Sequence, residues 1–357
     1  MAGGSALGGL GLMRVLVTGN LGYLGTIVAP LLAERGHRVE GLDSGLFRGC
    51  ETGAQPELST APIDVRDVEA ADLEGIEAVV HLAALSNDPL GALDPELTDE
   101  VNRRAAVRLG GLARRAGVRR LLFASSCSVY GAGGDDPLTE RSPCMPLTAY
   151  AKAKAGAERE LMRLSDEGFA VTALRLATAY GASPMVRFDL VLNNLVAWAA
   201  ATGSVHLKSD GMAWRPLVHV ADIARAIATV LEAPRAQVAG RAINVGAPGE
   251  NHRVVGIARL VERTVAGSTV SFVADGEADR RSYRVDFDRL ASLDGFRARW
   301  DARGGAREML DVVERHRPAV EEFEGPRYDR LAHIVRLRDE GALGEDLRWT
   351  RVRSHAL

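Results

Sequence analysis

Tyr150 and Lys154 are separated by three residues in a stretch, Tyr150-Ala-Lys152-Ala-Lys154, that reads as helix. Positions i and i+4 share a helix face, so the phenol and the Lys154 ammonium point the same way while Lys152 points elsewhere. A phenol is a poor base at its ordinary pKa of about 10, and a positive charge beside it favours the phenolate. Taken alone, such a pair is usually a surface contact. Upstream, Phe123-Ala124-Ser125-Ser126-Cys127-Ser128-Val129-Tyr130-Gly131 carries hydroxyls where a strand should end. In open α/β sheets ligands bind at the carboxyl ends of strands, so a serine there can hold a reacting oxygen against the tyrosine.

A second constellation lies near the N-terminus. Thr18-Gly19-Asn20-Leu21-Gly22-Tyr23-Leu24-Gly25 follows an apolar run and opens a helical pattern. Gly19 permits a tight turn, Gly22 lets a pyrophosphate approach the backbone, and Gly25 lets the helix lie close to the strand. The helix N-terminus supplies N–H groups for the phosphates. Asp43 stands 18 residues beyond Gly25, just past the second apolar run. A carboxylate there accepts hydrogen bonds from the adenosine ribose and repels a 2′-phosphate, which favours NAD over NADP. The blander reading of Asp43 is a turn residue before Ser44-Gly45, and Arg48 nearby leaves some NADP tolerance open. Oxidised nicotinamide would add its positive charge to that of Lys154 in activating the phenol.

These groups need a scaffold. Arg14–Thr18, Arg38–Leu42, Ala78–Leu82, Arg120–Ala124 and Val171–Leu176 read as buried strands, with helices over about Thr98–Ala116 and Ala149–Glu167. The alternation predicts an α/β fold, a Rossmann-like doubly wound parallel sheet covered on both faces. Beyond Gly181 a helix is expected at Phe188–Ala201, short strands near Val205–Leu207 and Leu217–His219, a helix at Asp222–Glu232 and a strand at Ala242–Val245. Residues 13–180 and 216–247 are assigned to the dinucleotide-binding domain, and 181–215 with 248–325 to a smaller substrate-binding lobe. Residues 326–357 read as a solvated, charged helical tail, and residues 1–12 as a flexible leader or an upstream start before Met13.

Composition is that of an ordinary globular chain: 357 residues, 46% hydrophobic, 25% charged, net charge −3. That excludes a disordered chain or coiled coil, and the near-neutral balance argues against nucleic acid as a partner. Three scattered cysteines, Cys50, Cys127 and Cys144, are no disulfide framework, and no metal-ligand spacing is found. No apolar run reaches the roughly 18 residues a membrane span needs, and the N-terminus has no signal-peptide pattern. The expected location is the cytoplasm.

Together these motifs resemble the extended short-chain dehydrogenase/reductases, in the NAD-dependent nucleotide-sugar epimerase/dehydratase group, over about four-fifths of the chain from Met13 to Trp300. The resemblance implies a glycine turn at Thr18–Gly25, the ribose acid at Asp43 and an adenine-contacting pair at Asp64-Val65. It implies a cofactor loop at His81-Leu82-Ala83-Ala84 and a further cofactor residue at Asn102. Catalysis falls on Ser126, Tyr150 and Lys154, with Lys154 also on the nicotinamide ribose. In the segment Asp210–Asp222, Arg215 is expected to grip a diphosphate, matching its oxygens bidentately, and Asp222 to cap a helix. Ser86, Thr178, Asn193, Asn194 and Arg281 are further substrate candidates. Asn193 and Asn194 read equally as helix-surface residues, and Ser86-Asn87-Asp88-Pro89 equally as a turn. Arg280 or Arg281 could stand in for a distal-phosphate arginine missing ahead of Asp279.

The chain departs from the group's pattern in two places. Thr178 replaces an asparagine that usually faces the substrate phosphates. Cys127-Ser128 stands where 4,6-dehydratases carry an Asp-Glu pair, which speaks against that elimination. The reading is therefore an epimerase of a nucleotide-diphosphate sugar that recycles its NAD. The alternatives are a 4-keto-sugar reductase or related sugar oxidoreductase and, more remotely, a non-catalytic dinucleotide sensor. The two helices named above carry apolar positions on more than one face, Leu109, Leu112, Leu161 and Leu164 among them, and the resemblance implies that they pair across a two-fold axis in a homodimer.

Overall fold

The computed structural model describes residues 11–134, 136–207, 209–272 and 281–350. Its strands are β1 (Arg14–Thr18), β2 (Arg38–Leu42), β3 (Thr60–Ala61), β4 (Ala78–His81), β5 (Arg120–Ser126), β6 (Ala170–Leu176), β7 (Thr178–Tyr180), β8 (Ser204–Leu207), β9 (Trp214–His219), β10 (Arg241–Val245), β11 (Asn251–Arg253) and β12 (Thr269–Phe272). Seven of them form one parallel sheet in the order β10-β6-β5-β4-β1-β2-β3. The chain runs outward from β1 to β3, then crosses back to place β4 on β1's other side. The crevice at that reversal is where such sheets bind ligands.

Period-2 alternation explains why the strands are apolar throughout. Val15, Val17, Val80, Leu122 and Leu174 enter the core on one face, while Leu16, Val79, Leu121, Phe123 and Val171 enter the core on the other. Helices Gly25–Glu34 and Val220–Glu232 cover the first face; Ala105–Arg115 and Ala149–Met162 cover the second. A third core joins helices Val191–Thr202, Val254–Thr264 and Ala302–His316 with β8. Strands β7, β9 and β11 form a three-stranded sheet, with β9 parallel to β7 and antiparallel to β11.

Several expectations change. The helix over 98–116 is interrupted: Pro95–Asp99 runs into a wider π-type turn at Glu100–Arg104 before Ala105–Arg115 resumes. Leu109 and Leu161 are fully buried within the chain, while Leu112 and Leu164 pack on the same core and stay partly exposed. Asp222 is not a cap. His219 caps that helix by accepting from the Ala221 N–H, while Asp222, buried one turn in, accepts from the Arg299 and Trp300 N–H groups.

The largest correction concerns the stretch read as a solvated tail. Helix Arg330–Asp339, capped by Asp329, buries Arg330, His333, Ile334 and Leu337, and Leu343 and Leu347 join them in the core. Arg336, Arg338, Asp339 and Glu340 keep the other face charged. Trp349 Nε1 donates to Ser44 O at 2.8 Å, and Arg66 Nη1 donates to Asp346 O at 2.9 Å. Of the leader, residues 1–10 lie outside the described residues; Leu12 is exposed, whereas Met13 is buried. Among the described residues no helix is long and apolar enough to cross a membrane.

Candidate active site

A cleft of about 510 Å³ opens where β1, β4 and β5 end. Its floor is the turn after β1. Gly19 has φ +73°, and a Cβ there would lie 2.7 Å from Ala83 N. A Cβ on Gly25 would strike Gly19 O and come within 2.5 Å of Asn20 Cα. The turn therefore demands glycine at both positions. Thr18 Oγ1 meets His81 Nδ1 at 2.7 Å and ties β1 to β4; Leu82, Ala83 and Ala84 continue along the cleft wall.

The acid end is in place. Asp43 Oδ1 accepts from Gly45 N at 2.8 Å and Oδ2 from Leu21 N at 3.1 Å, so the carboxylate is fixed by backbone. Burial pushes its pKa up, against those two bonds and nearby Arg48. Asp64 and Val65 line the same end, with the Asp64 carboxylate held by Arg66 at 2.7 Å. Burial opposes ionisation of Asp64, but Arg66 outweighs it and keeps the carboxyl below its usual range.

Three expected cofactor contacts change. Asn20 turns back to donate to Thr60 Oγ1 at 2.8 Å, packed against Gly41. Leu21 offers its N–H to Asp43 rather than a side chain to the cleft, and it borders a neighbouring cavity. Asn102 is buried, with Oδ1 accepting from Leu85 N and Nδ2 donating to Leu85 O; it shapes the cofactor loop from behind.

Tyr150 and Lys154 sit in the first turns of helix Ala149–Met162, capped by Thr148. Ser126 ends β5, with Oγ accepting from Ser128 N at 3.1 Å, and lines the cleft together with the Tyr150 phenol. Burial pushes Tyr150 up to about 12, and Asp88 adds to the rise; Arg187 and the nearby Ser126 act the other way. Lys154 Nζ donates to Ala124 O at 2.8 Å and stands 5.9 Å from the Tyr150 ring centre. Burial alone pulls its pKa down to about 7. The ammonium thus anchors on β5 behind the phenol instead of bonding to it. Further back, Ser125 donates to Glu158, which pairs with buried Arg175, bracing the strand end.

At the opposite end Ser86, Thr178, Arg215 and Arg281 line the cleft. Arg215 donates to Trp214 O at 2.8 Å and to Arg281 O, bringing the two arginines together. Arg281 pairs with Asp88, which accepts from Thr148 Oγ1 at 2.5 Å. Arg280 lies outside the described residues. Neither Asn193 nor Asn194 reaches the cleft. Asn193, fully buried, accepts from Gly181 N and donates to Arg187 O. Asn194 donates to Glu324 Oε1 at 2.8 Å. Tyr23 donates its hydroxyl to Gly181 O at 2.9 Å, linking the glycine turn to the same loop.

Two groups in the cleft carry no sequence motif. Arg187 is buried, paired with Asp189 at 2.5 Å and donating to Ser86 O and Oγ at 3.3 Å. Asp189 also accepts from Asn87 Nδ2 at 2.8 Å. Arg330, from the C-terminal helix, is the second. Only their place on the cleft identifies them.

The donors suit a dinucleotide: a glycine turn at a helix N-terminus, a fixed carboxylate 18 residues on, and Lys154 beside the phenol. Comparison with known proteins agrees. The model of the NAD dependent epimerase/dehydratase family matches residues 15–246. The UDP-glucose 4-epimerase of Corynebacterium glutamicum is 30% identical over 273 residues, 72% of this chain and 82% of its own. UDP-glucuronic acid decarboxylase 1 of Xenopus tropicalis is 25% identical over 293 residues, 79% of this chain and 68% of its own. The solved structure of MoeE5 in complex with UDP-glucose and NAD superposes with a TM-score of 0.72 at 28% identity, covering 85% of this chain and 100% of that one.

Proposed function

Since this chain belongs to the NAD-dependent epimerase/dehydratase family, we propose that it is an epimerase of a nucleotide-diphosphate sugar. The observation that carries this reading is a single cleft lined by the glycine turn, by Ser126, Tyr150 and Lys154, and by Arg215 and Arg281. The chemistry NAD supplies is a reversible hydride acceptor that is positively charged when oxidised. Tyr150 takes the proton from a ring hydroxyl and later returns it, and Ser126 holds that oxygen. Lys154, anchored on Ala124 O, lends positive charge behind the phenol, and would help hold the nicotinamide ribose of bound NAD. Arg215 and Arg281 hold the diphosphate, Ser86 and Thr178 line the sugar pocket, and Asp43 holds the adenosine ribose.

Epimerisation is favoured over elimination by the two residues after Ser126. Cys127 is buried, its thiol donating to Arg175 O, and Ser128 donates its N–H to Ser126. Neither supplies the acid that elimination needs. The fixed carboxylate of Asp43 favours NAD, and thereby a recycling reaction over net reduction. The 4-epimerase relative makes a UDP-hexose the first substrate to try. A homodimer is proposed on the family resemblance, and light scattering at micromolar concentration tests it.

The test is a screen of nucleotide sugars by chromatography with mass detection. An epimerase yields a product of unchanged mass and new retention, without consuming coenzyme. Loss of water, loss of carbon dioxide, or stoichiometric coenzyme oxidation would replace this reading with dehydratase, decarboxylase or reductase. Tyr150→Phe keeps the ring and removes the acid–base oxygen, so turnover should drop about 10²–10⁴-fold at unchanged melting temperature. Retention of more than about a tenth of wild-type turnover would place the proton acceptor elsewhere.

A further inference from the structure

We propose that the C-terminal segment 326–350 is part of the cofactor site, with Arg330 receiving the diphosphate of the bound dinucleotide. Arg330 is 2% exposed and lines the cleft together with Asp329 and Leu347. Its Nη2 donates to Met185 O at 3.2 Å, and its guanidinium lies 4.7 Å from the centre of the Phe47 ring. Its Nη1 is buried with no hydrogen-bond partner among the described residues. No carboxylate forms an ion pair with it there either. Asp189, the nearby acid, is already taken by Arg187 and Asn87. A buried guanidinium left in that state costs folding energy, and an arriving anion repays it. Burial accordingly pulls its pKa down.

Its place on the cleft selects the anion. Phe47 lies just past Asp43, at the adenosine end, while Asp189 and Arg187 lie beside Tyr150, at the reacting end. Arg330 touches Phe47 on one side and feels Asp189 and Arg187 on the other, on a cleft that Gly22 and Gly25 also line. Between the two riboses of a dinucleotide lies its diphosphate. The remainder of the segment fastens the adenosine side: Trp349 to Ser44, Asp346 to Arg66, and Leu347 into the cleft wall. A contact of this kind holds the cofactor through the cycle whichever sugar is turned over, so its test is independent of the epimerase reading.

The experiment measures binding of NAD, ADP and adenosine to cofactor-stripped protein by calorimetry, for wild type, Arg330→Met and Arg330→Lys. Loss of hydrogen bonds to a charged partner should weaken NAD and ADP about 10- to 100-fold in Arg330→Met, with adenosine within about twofold. Arg330→Lys should fall between, keeping charge but not the bidentate fork. If Arg330→Met does not fold, the lysine variant carries the test through the same ADP-to-adenosine contrast. Equal weakening of all three ligands would mark Arg330 as a structural support of Met185. Unchanged NAD and ADP affinity in either folded variant would equally overturn the proposal.

Discussion

One wall of the cleft, Thr18 to Gly25 with Ala83 behind it, presents backbone. Elsewhere the lining presents guanidinium groups, Arg187, Arg215, Arg281 and Arg330, brought from four separate stretches of chain. The backbone wall recognises phosphate by shape and N–H direction, and it leaves no room for a single methyl at two positions. The side-chain wall recognises charge, and each arginine is positioned by its own neighbours: Asp189, Trp214 O, Asp88 and Met185 O. Substitutions at Arg215 or Arg281 leave the turn undisturbed, whereas Arg330, on the reading above, stands with the cofactor half of the site.

That contrast can be broken first at Gly25. Gly25→Ala places a methyl against the Gly19 and Asn20 backbone, which has no flexible end to yield. We expect a loss of about 1–3 kcal/mol or more in stability and no measurable NAD binding. Wild-type melting and affinity in this variant would show the backbone wall to be looser than its geometry. Asp43→Asn comes next. The amide can accept through only one atom, so either Leu21 N or Gly45 N loses its partner along with a ribose contact. NAD affinity by calorimetry should fall about 10- to 100-fold, and the preference for NAD over NADP should shrink. An unchanged preference would remove Asp43 from cofactor selection.

The smallest expected effect concerns Lys154 and pH. Burial lowers its pKa to about 7 in the folded chain from 10.5. Between those values the unfolded chain binds the extra proton, so stability rises with pH across the window and is lost as pH falls back towards 7. For cofactor-free protein, denaturant unfolding at about pH 7.5 and about pH 9.5 should show wild type gaining about 1–2 kcal/mol relative to Lys154→Met. Parallel behaviour of the two proteins would mean that Lys154 stays charged despite its burial, held so by Ala124 O and the Phe123 ring.

The sequence alone determined whatever depends on neighbours along the chain. β1 and β2 fall on the expected residues because each is a short apolar run closed by a turn. The glycine turn and the Tyr150/Lys154 pair are readable because their spacing is itself the mechanism, one turn of backbone or one turn of helix. Asn102, Asn193 and Asn194 have the right residue type, but an amide bonds equally well to a peptide group or to a ligand. Only the fold places Leu85, Gly181 and Glu324 beside them. Lys154 shares a face with Tyr150 as the spacing requires, yet the end of β5 decides where its ammonium binds. The C-terminal segment was the least legible. Its few buried apolar residues are interspersed with arginines, so local pattern alone reads as solvent-facing. The surface that makes them a core is supplied by Leu46, Phe47 and the helix at Asp88–Leu93, about 240–300 residues away in sequence. Burial and charge compensation are sums over neighbours in space. Arg187 finds its carboxylate in Asp189, two residues on, but Ser86 and the cleft it lines come from elsewhere in the chain, and for Arg330 Phe47 and Met185 do too; tertiary structure alone brought both arginines to the cleft.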